Sequence, residues 1–270
     1  MPLAARALID QHVCPMVDGV KPHVGGPVAP PCSLTVQSEL AAQGRGTDRA
    51  TCIGPPDFIV TGSGSVQVND LPAARQTDKT MHGGTLLTGA ATVEIGGPTV
   101  GVTLGNPTAA TATCNAMAAG RTSGSSGQSY NNCGCESSRQ LINQGTGSTV
   151  GEDGLLDESI AHGDADDARN RRSAGGTHPG GRRDILARNG VPSTLEPQGM
   201  KSITQGVAEG KGVITSHEAS ILWGPGNGSG GHAIVVTGLQ YDANGNLINV
   251  ITNDTGLGQC GRSVPAAQFA

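Results

Sequence analysis

The sequence predicts two domains, of which the first is all-β and the second is built from both helices and strands. Three observations lead to this fold class. The chain has 270 residues, a length that favours two domains over one. It contains 43 glycines but only 2% aromatic residues, a composition that favours tight turns and thin layers over one bulky core. The residue pattern also changes near the middle of the chain, where a small, polar run intervenes.

Residues 1–107 form the predicted all-β domain. Short runs in which polar and apolar residues alternate, such as 65–70 and 91–97, lie between turns rich in Gly and Pro. No stretch in this part keeps a helical period for three turns. Residues 108–130 are small and polar and end in a Ser/Gly run, which is typical of a flexible linker.

Residues 131–270 form the second predicted domain, in which helical patterns precede strand-like stretches. Gly190 follows the second helical pattern, at the position where a helix C-terminus favours glycine. The predicted helices are 133–144, 180–189 and 199–209, and the predicted strands are 212–216 and 232–239.

Composition and charge exclude several classes of function. The net charge of −5 leaves no basic surface for nucleic acid. No apolar run approaches the roughly 20 residues that span a bilayer, and the N-terminus has too short an apolar stretch for a secretory signal. We therefore expect no nucleic-acid partner and no membrane insertion. The odd count of 7 cysteines favours reduced, metal-binding or reactive thiols over a disulfide scaffold.

A repeat in the first domain predicts a metal site. His23, Cys52 and His82 are spaced by 29 and 30 residues (23 to 52 and 52 to 82), and each precedes a Gly/Pro turn and a short strand pair. A threefold arrangement would bring them together, with His12 as the fourth ligand and Cys14 as its rival. A closed set of nitrogen and sulfur ligands suits zinc. A single such histidine is more often a solvated turn residue, but four soft ligands at matched positions favour the metal.

The same region resembles a PAAR-repeat domain, through 22–28, 52–84 and 91–98 and above all through Pro72-Ala73-Ala74-Arg75. The resemblance implies a small β-structured cone with a zinc ion near its point, held by three His and one Cys. Such a cone sits on the trimeric spike of a type VI secretion machine, and a C-terminal extension usually carries a toxic cargo domain. In the earlier unit, residues 40–48, we expect Gln43-Gly44 in the place of Arg75.

The second domain offers the parts of a thiol-based catalytic site: a thiolate, a base and a group that orients the base. Cys133 and Cys135 both lie at a predicted helix start, where the helix dipole and free N–H groups lower a thiol pKa. A metal site would need a second ligand pair, and a disulfide between these two cysteines is strained by their one-residue separation. The nucleophile interpretation is therefore favoured.

The turn of the predicted C-terminal hairpin selects the orienting residue. His232 opens the first strand, and a two-residue turn at Asn244-Gly245 would place Asn253 on its face of the sheet. A three-residue loop, opened by Asp242 and closed by a left-handed Gly245, would place Asp254 there instead. Asp at the first turn position and Gly at the fourth favour the second geometry. We predict Asp254 as the orienting residue, with Asn253 as the alternative.

The remaining histidines, the tryptophan and the last cysteine carry weaker signals. A lone histidine at a strand start is usually a surface residue, but the glycines before His232 and the Asp/Asn pair opposite it favour function. The other residues are predicted to be structural or bystanders: His162, His178 and His217 at the surface, Trp223 in the core or a cleft wall, and Cys260 with a metal role left open.

Residues 128–269 resemble the papain-like cysteine peptidases of the bacteriocin-leader-processing type. The matching motifs are Asn132-Cys133-Gly134, 232–238 and Asn253-Asp254. The resemblance implies an α+β papain-like fold with Cys133 as nucleophile, because Gly134 follows it, and Cys135 as a helix residue facing the core. It also implies that an upstream glutamine, here Gln128, donates to the oxyanion. Peptidases of this type cut after paired glycines, which implies small residues on the acyl side.

Together these patterns predict a type VI secretion effector. We expect it to be made in the cytoplasm without a signal peptide, exported on the spike, and active as a cysteine endopeptidase in the cytoplasm of the recipient cell. Catalysis needs no cofactor, and the expected partners are the trimeric spike protein, a protein substrate and a cognate immunity protein. Two alternatives remain: a glutamine deamidase or transglutaminase that uses the same Cys-His-Asp set, and a non-catalytic docking domain with structural thiols.

Overall fold

The computed structural model describes residues 1–105, 114–115, 117–118, 127–167, 169 and 176–269. The chain divides into two compact units, Met1–Leu104 with Leu239–Asn249, and Gly105–Gly238 with Val250–Ala270. The predicted linker 108–130 lies mostly outside the described residues. Among the helices of the described residues, none combines the length and the apolar character that crossing a bilayer requires.

Up to Leu104, the first unit is built from strands of two to four residues, and the described residues of this part contain no helix. Most of the strands pair antiparallel in twos, β1 with β12, β2 with β3, β5 with β6, β9 with β13 and β10 with β11, and β4–β7–β8 form a three-stranded sheet. The strands are β1 (His12–Val13), β2 (Val17–Asp18), β3 (Lys21–Pro22), β4 (Gly25–Val28), β5 (Gln37–Ser38), β6 (Ala41–Ala42), β7 (Arg49–Cys52), β8 (Asp57–Phe58), β9 (Thr61–Ser63), β10 (Gln67–Val68), β11 (Leu71–Pro72), β12 (Thr85–Leu86), β13 (Thr99–Gly101) and β14 (Thr103–Leu104).

Three Arg–Asp pairs repeat one hydrogen-bond pattern in this unit. In each pair the arginine backbone N–H and Nε–H donate to one carboxylate oxygen and Nη2 donates to the other, and the backbone bonds measure 2.7, 2.8 and 2.7 Å. The pairs are Arg6–Asp10, Arg45–Asp48 and Arg75–Asp78. The expectation that Gln43-Gly44 stand in the place of Arg75 is therefore wrong, because Arg45 occupies that place.

Small side chains fill the centre of this unit. Ala4, Ala5, Ala73 and Ala74 are fully buried, and the backbone N–H of Gly44 donates to the carbonyl of Ala5 over 2.8 Å. A Cβ on Gly44 would lie 3.3 Å from that carbonyl oxygen. At this contact the two segments leave little room for a larger side chain.

Helices and an antiparallel sheet make up the second unit. The three predicted helices are confirmed within two residues at each end, whereas α2 and α5 were not predicted. The pattern of α2 is weak because Gly154 and polar residues interrupt its apolar face, although Glu152 and Asp153 suit a helix start. The helices are α1 (Cys133–Thr146), α2 (Glu152–Ala161), α3 (Pro179–Arg188), α4 (Met200–Ala208) and α5 (Ala219–Trp223), and a 3₁₀ turn covers Ala266–Phe269.

The sheet carries α1 on its surface. Its strands are β15 (Val213–Glu218), β16 (Gly231–Tyr241), β17 (Leu247–Asp254) and β18 (Gln259–Pro265), in the order β15–β16–β17–β18, and β14 pairs with residues 239–240 of β16. The Ser137 hydroxyl of α1 donates to the carbonyl of Ala233 over 3.1 Å. Cys135 is buried in the same apolar cluster as Val235, so its side chain faces the core.

The hairpin between β16 and β17 has the three-residue loop. The backbone N–H of Asp242 donates to the carbonyl of Asn246 over 2.9 Å, and the N–H of Gly245 donates back to the carbonyl of Asp242 over 3.0 Å. Gly245 has φ +80°, the left-handed conformation that this loop requires. The register that follows places Asp254, and not Asn253, on the face of His232.

Cys114 and Cys260 form a disulfide with a Cα–Cα distance of 5.7 Å. The expectation that the thiols stay reduced, with Cys260 as a bystander or a metal ligand, is therefore wrong for this pair. The two residues are separated by 146 positions, and no local pattern reports a contact over that distance.

Candidate active site and candidate metal centre

The helix α1 begins at Cys133, so this thiol lies at the positive end of the helix dipole. The backbone N–H of Ala233 donates to its Sγ over 3.4 Å. Gly134 is needed next to it, because a Cβ at that position would lie 1.8 Å from the hydroxyl oxygen of Thr177. The local fold thus presents a half-buried thiol beside the start of β16.

His232 lies beside this thiol, with 4% of its surface exposed. Its Nε2 is 2.7 Å from Oδ1 of Asp254, and it lines the same cavity as Cys133. Burial by itself lowers the pKa of His232, but the hydrogen bonds and the charges of Asp254 and Cys133 raise that pKa to about 9. The imidazole is therefore placed to hold a proton between a thiol and a carboxylate.

The carboxylate of Asp254 is fully buried and has several donors. Besides His232 at Oδ1, the indole N–H of Trp223 donates to Oδ2 over 2.7 Å and the backbone N–H of Gly256 donates to Oδ1 over 3.0 Å. Burial raises the pKa of Asp254, but the bond and charge of His232, followed by the bond from Trp223, lower it below its usual value. Asp254 therefore stays ionised and fixes the orientation of the imidazole.

The role of Trp223 was missed by the sequence analysis, which placed it in the core or a cleft wall. Its ring lies 4.7 Å from the ring of His232, centroid to centroid, in addition to its hydrogen bond to Asp254. A Cβ on Gly256 would lie 2.6 Å from the indole. One sequence feature pointed to this role: the sole tryptophan of the chain lies shortly before the hairpin that contains His232 and Asp254.

The two cysteines of α1 differ in their acidity. Burial raises the pKa of Cys133, but the hydrogen bond and charge of His232, with the N–H of Ala233 and the charge of Arg182, lower it below its usual value. Burial raises the pKa of Cys135 to about 11. Of these two thiols, Cys133 is therefore the more acidic and the better source of a thiolate.

A cavity of about 530 Å³ opens onto Cys133 and His232. Its wall includes Thr177 and Arg182 of the segment around α3 and Ser216 of β15. The thiol is therefore reachable by a substrate, whereas Cys135 is enclosed in the core.

Gln128 and Asn253 lie outside the hydrogen bonds of this thiol site. The side-chain N–H of Gln128 donates to the carbonyl of Tyr130 over 2.8 Å, and its oxygen accepts from the hydroxyl of Thr255 over 2.9 Å. The side-chain oxygen of Asn253 accepts from the N–H of Gly261 over 3.0 Å, on the side of β18. The role of Gln128 as oxyanion donor stays a prediction.

The other histidines of this unit have structural surroundings. His178 caps α3 by accepting from the N–H of Gly181 over 3.0 Å, and His162 ends α2. The ring of His217 lies against Phe269, with ring centroids 4.6 Å apart.

A candidate metal centre lies in the first unit, formed by Cys14, His23, Cys52 and His82, whose ligand atoms all lie within 4.8 Å of one another. The Sγ of Cys52 is 3.3 Å from Sγ of Cys14 and 3.3 Å from Nδ1 of His23, and Sγ of Cys14 is 3.4 Å from Nδ1 of His82. A tetrahedral ion at about 2.3 Å from sulfur and about 2.0 Å from nitrogen separates its ligands by roughly 3.5 Å. The four side chains therefore fit one metal ion.

The fourth member of this cluster is Cys14, the alternative that the sequence left open, and not His12. The Nδ1 of His12 is 2.9 Å from the carbonyl oxygen of Gly26, and its Nε2 is 3.4 Å from the buried carboxylate of Asp57. The imidazole therefore lies against Gly26 and Asp57 and is not part of the cluster. Behind the cluster, Nε2 of His23 lies 3.1 Å from Asp18, an arrangement that orients metal-binding histidines.

Residues 18–88 match the PAAR motif family. The match covers roughly a quarter of the chain and includes His23, Cys52 and His82. A search of curated proteins finds no match to this chain. The PAAR resemblance of the first part is thus confirmed, and it supports a protein associated with the type VI secretion spike.

Proposed function

We propose that this protein is a type VI secretion effector with a cysteine endopeptidase C-terminal to its PAAR part. The PAAR motif supports the association with the spike. The observation that supports the enzyme is the chain of contacts from Cys133 through His232 to the buried Asp254, at the edge of a cavity. A thiol with a lowered pKa, a base and an ionised orienting group are the requirements of nucleophilic thiol catalysis.

The proposed reaction uses these three side chains in sequence. His232 holds the proton of Cys133, and the thiolate attacks the carbonyl carbon of a peptide bond to give a tetrahedral oxyanion. The imidazolium of His232 then protonates the departing amine while the C–N bond breaks and a thioester remains on Cys133. Water, deprotonated by His232, hydrolyses the thioester and restores the thiol. Asp254 keeps the imidazole oriented throughout.

In the first unit we propose that the four-residue cluster holds zinc. Two thiolates and two imidazoles are the donor set that a structural zinc ion takes, and it supplies a cross-link without redox chemistry. Cys14, His23, Cys52 and His82 come from separate short segments, so one ion ties together strands that are too short to be stable alone.

Expression of the full chain in a bacterial cytoplasm tests the enzyme. The full chain is used because residues 239–249 of the catalytic hairpin group with the first unit. Wild type is compared with Cys133→Ala and with Cys135→Ala as the matched thiol control, while growth and new protein termini are followed. We expect toxicity and new termini in wild type and Cys135→Ala, and neither in Cys133→Ala.

Each departure from this pattern has a separate meaning. If Cys133→Ala is as toxic as wild type, the thiol mechanism is wrong. Toxicity that depends on Cys133 but produces no new termini, with a gain of about one dalton on glutamine-containing peptides, supports the deamidase alternative instead. Absence of toxicity together with inertness of Cys133 toward a thiol-directed probe supports a docking domain. The residues before any new termini report the acyl-side preference.

A further inference from the structure

Arg182 is a buried cation in the wall of the cavity that contains Cys133 and His232. It is the fourth residue of α3 and only 8% of its surface is exposed. Its Nη1 donates to the carbonyl of Thr177 over 3.1 Å, and its Nη2 donates to the hydroxyl of Ser216 over 2.9 Å. Both acceptors are neutral, so these bonds fix the guanidinium without balancing its charge.

Within the described part of the chain, no carboxylate forms an ion pair with Arg182. Its neighbours differ in this respect, because Arg183 pairs with Asp184 and Arg188 pairs with Glu158. A buried charge without a counter-charge is unfavourable. A residue kept in this state indicates that a negative charge forms nearby in the working protein.

The negative charge available at this place is the thiolate of Cys133. Burial lowers the pKa of Arg182, and the charge of Cys133 is the influence that raises it. Packing keeps the two groups together: a Cβ on Gly134, the residue after the thiol, would lie 3.4 Å from Cδ of Arg182. The other ionisable groups around the cavity are His232, His178, Asp164 and Asp166, of which Asp164 pairs with Arg188.

We propose that Arg182 is a positioning residue of the thiol site, whose permanent positive charge stabilises the thiolate of Cys133 whether or not His232 is protonated. A guanidinium does not lose its proton in proteins, whereas an imidazole does. The site would thus hold two cations around one thiolate, one of them a mobile proton carrier and the other fixed. This inference deepens the proposed thiol chemistry and rests on it, but its test needs no substrate.

The test measures the rate of alkylation of Cys133 in the full chain by iodoacetamide as a function of pH, with peptide mass spectrometry to separate this thiol from the others. Iodoacetamide is neutral, so its approach does not depend on the charge of the site. In Arg182→Gln we expect the midpoint of the pH profile to rise by about one unit, since a neighbouring opposite charge shifts a pKa by roughly one to three units. At a fixed pH below the midpoint, the alkylation rate of Arg182→Gln should then be about tenfold lower than that of wild type.

Two further variants separate charge from structure. Arg183→Gln removes one positive charge from the neighbouring, half-exposed arginine and should leave the midpoint unchanged. Arg182→Lys keeps the charge and should restore most of the shift. If Arg182→Gln does not fold, Arg182→Met fills the same space without a polar group and carries the same expectation.

The outcomes are decisive in either direction. A midpoint in folded Arg182→Gln or Arg182→Met equal to that of wild type overturns the inference, as does a shift in Arg182→Lys as large as in the neutral variants. A shift confined to the neutral Arg182 variants supports it. Because alkylation is independent of peptide cleavage, the inference can hold even if no protein is cut, and cleavage can occur with an unshifted Arg182→Gln profile.

Discussion

Each of the two units contains a thiol, an imidazole and a carboxylate in contact, and the two arrangements begin alike. In the first unit Sγ of Cys52 is 3.3 Å from His23, whose other ring nitrogen is 3.1 Å from Asp18. In the second, Cys133 lies beside His232, whose Nε2 is 2.7 Å from Asp254. The presence of a Cys-His-Asp chain therefore does not by itself distinguish a metal site from a thiol nucleophile.

What differs is the number of soft ligands and the access to the thiol. Cys52 has a second thiol, Cys14, at 3.3 Å, and a second imidazole, His82, in the same cluster, which completes a set of four donors. The second thiol near Cys133 is Cys135, which is buried in the core and cannot join. A closed set of four suits a metal, whereas one thiol at a cavity, with its imidazole held by an ionised carboxylate, suits proton transfer.

The largest effect is expected from breaking the metal centre. Cys14→Ser removes a ligand and should abolish zinc binding, lowering the free energy of unfolding of the first unit by several kcal/mol, since ligand binding and folding are coupled in small metal sites. Zinc content per chain and thermal unfolding with and without a chelator measure this. His12→Asn is the matched control, because His12 lies outside the cluster. Loss of zinc in His12→Asn with retention in Cys14→Ser would reverse the ligand assignment.

The next largest effect tests the orienting carboxylate. Asp254→Asn should lower kcat by about a thousandfold, roughly 4 kcal/mol in the transition state, because the amide cannot hold His232 in the same protonation and orientation. A peptide built on a new terminus from the expression experiment serves as substrate, with active sites titrated by alkylation. Asn253→Ser is the control and should keep kcat per active site, since Asn253 bonds to Gly261 on the side of β18. If Asn253→Ser lowers kcat more than Asp254→Asn does, Asp254 is not the orienting residue.

A smaller effect is expected at the tryptophan. Trp223→Phe keeps an aromatic ring over His232 but removes the N–H that donates to Asp254 over 2.7 Å. A hydrogen bond to a charged group contributes about 1.5 kcal/mol or more, so kcat should fall about tenfold. The same peptide assay measures this, with the fold checked by circular dichroism. An unchanged kcat would falsify the view that Trp223 supports the carboxylate.

The smallest effect is the pH dependence of cleavage in the wild-type protein. The pKa of Cys133 is lowered and that of His232 is raised to about 9, so the thiolate–imidazolium pair exists between these values. Activity should rise with pH through the Cys133 pKa and fall to half near pH 9, as His232 loses the proton that the leaving amine needs. A profile of kcat against pH tests this. Activity that continues to rise above pH 10 contradicts a protonated His232 in the working enzyme.

The sequence by itself determined the features that depend on neighbouring residues. The alternation of short strands, the helix that begins at Cys133 and the three-residue loop closed by Gly245 all follow from local periodicity and turn chemistry. The loop type also predicted that Asp254 faces His232, because the turn sets the register of the two paired strands. The catalytic role of these residues remains the proposal that the experiments above test.

Only the tertiary structure decided which distant side chains meet. Cys14 in place of His12, the hydrogen bond from Trp223 to Asp254, and the disulfide between Cys114 and Cys260 all depend on contacts across 31 to 146 residues. Arg182 reaches the thiol site in the same way, through a helix that no motif connects to Cys133. A local pattern restricts the backbone over a few residues, whereas these contacts depend on how complete segments pack, and the packing is chosen by the free energy of the folded chain as a whole.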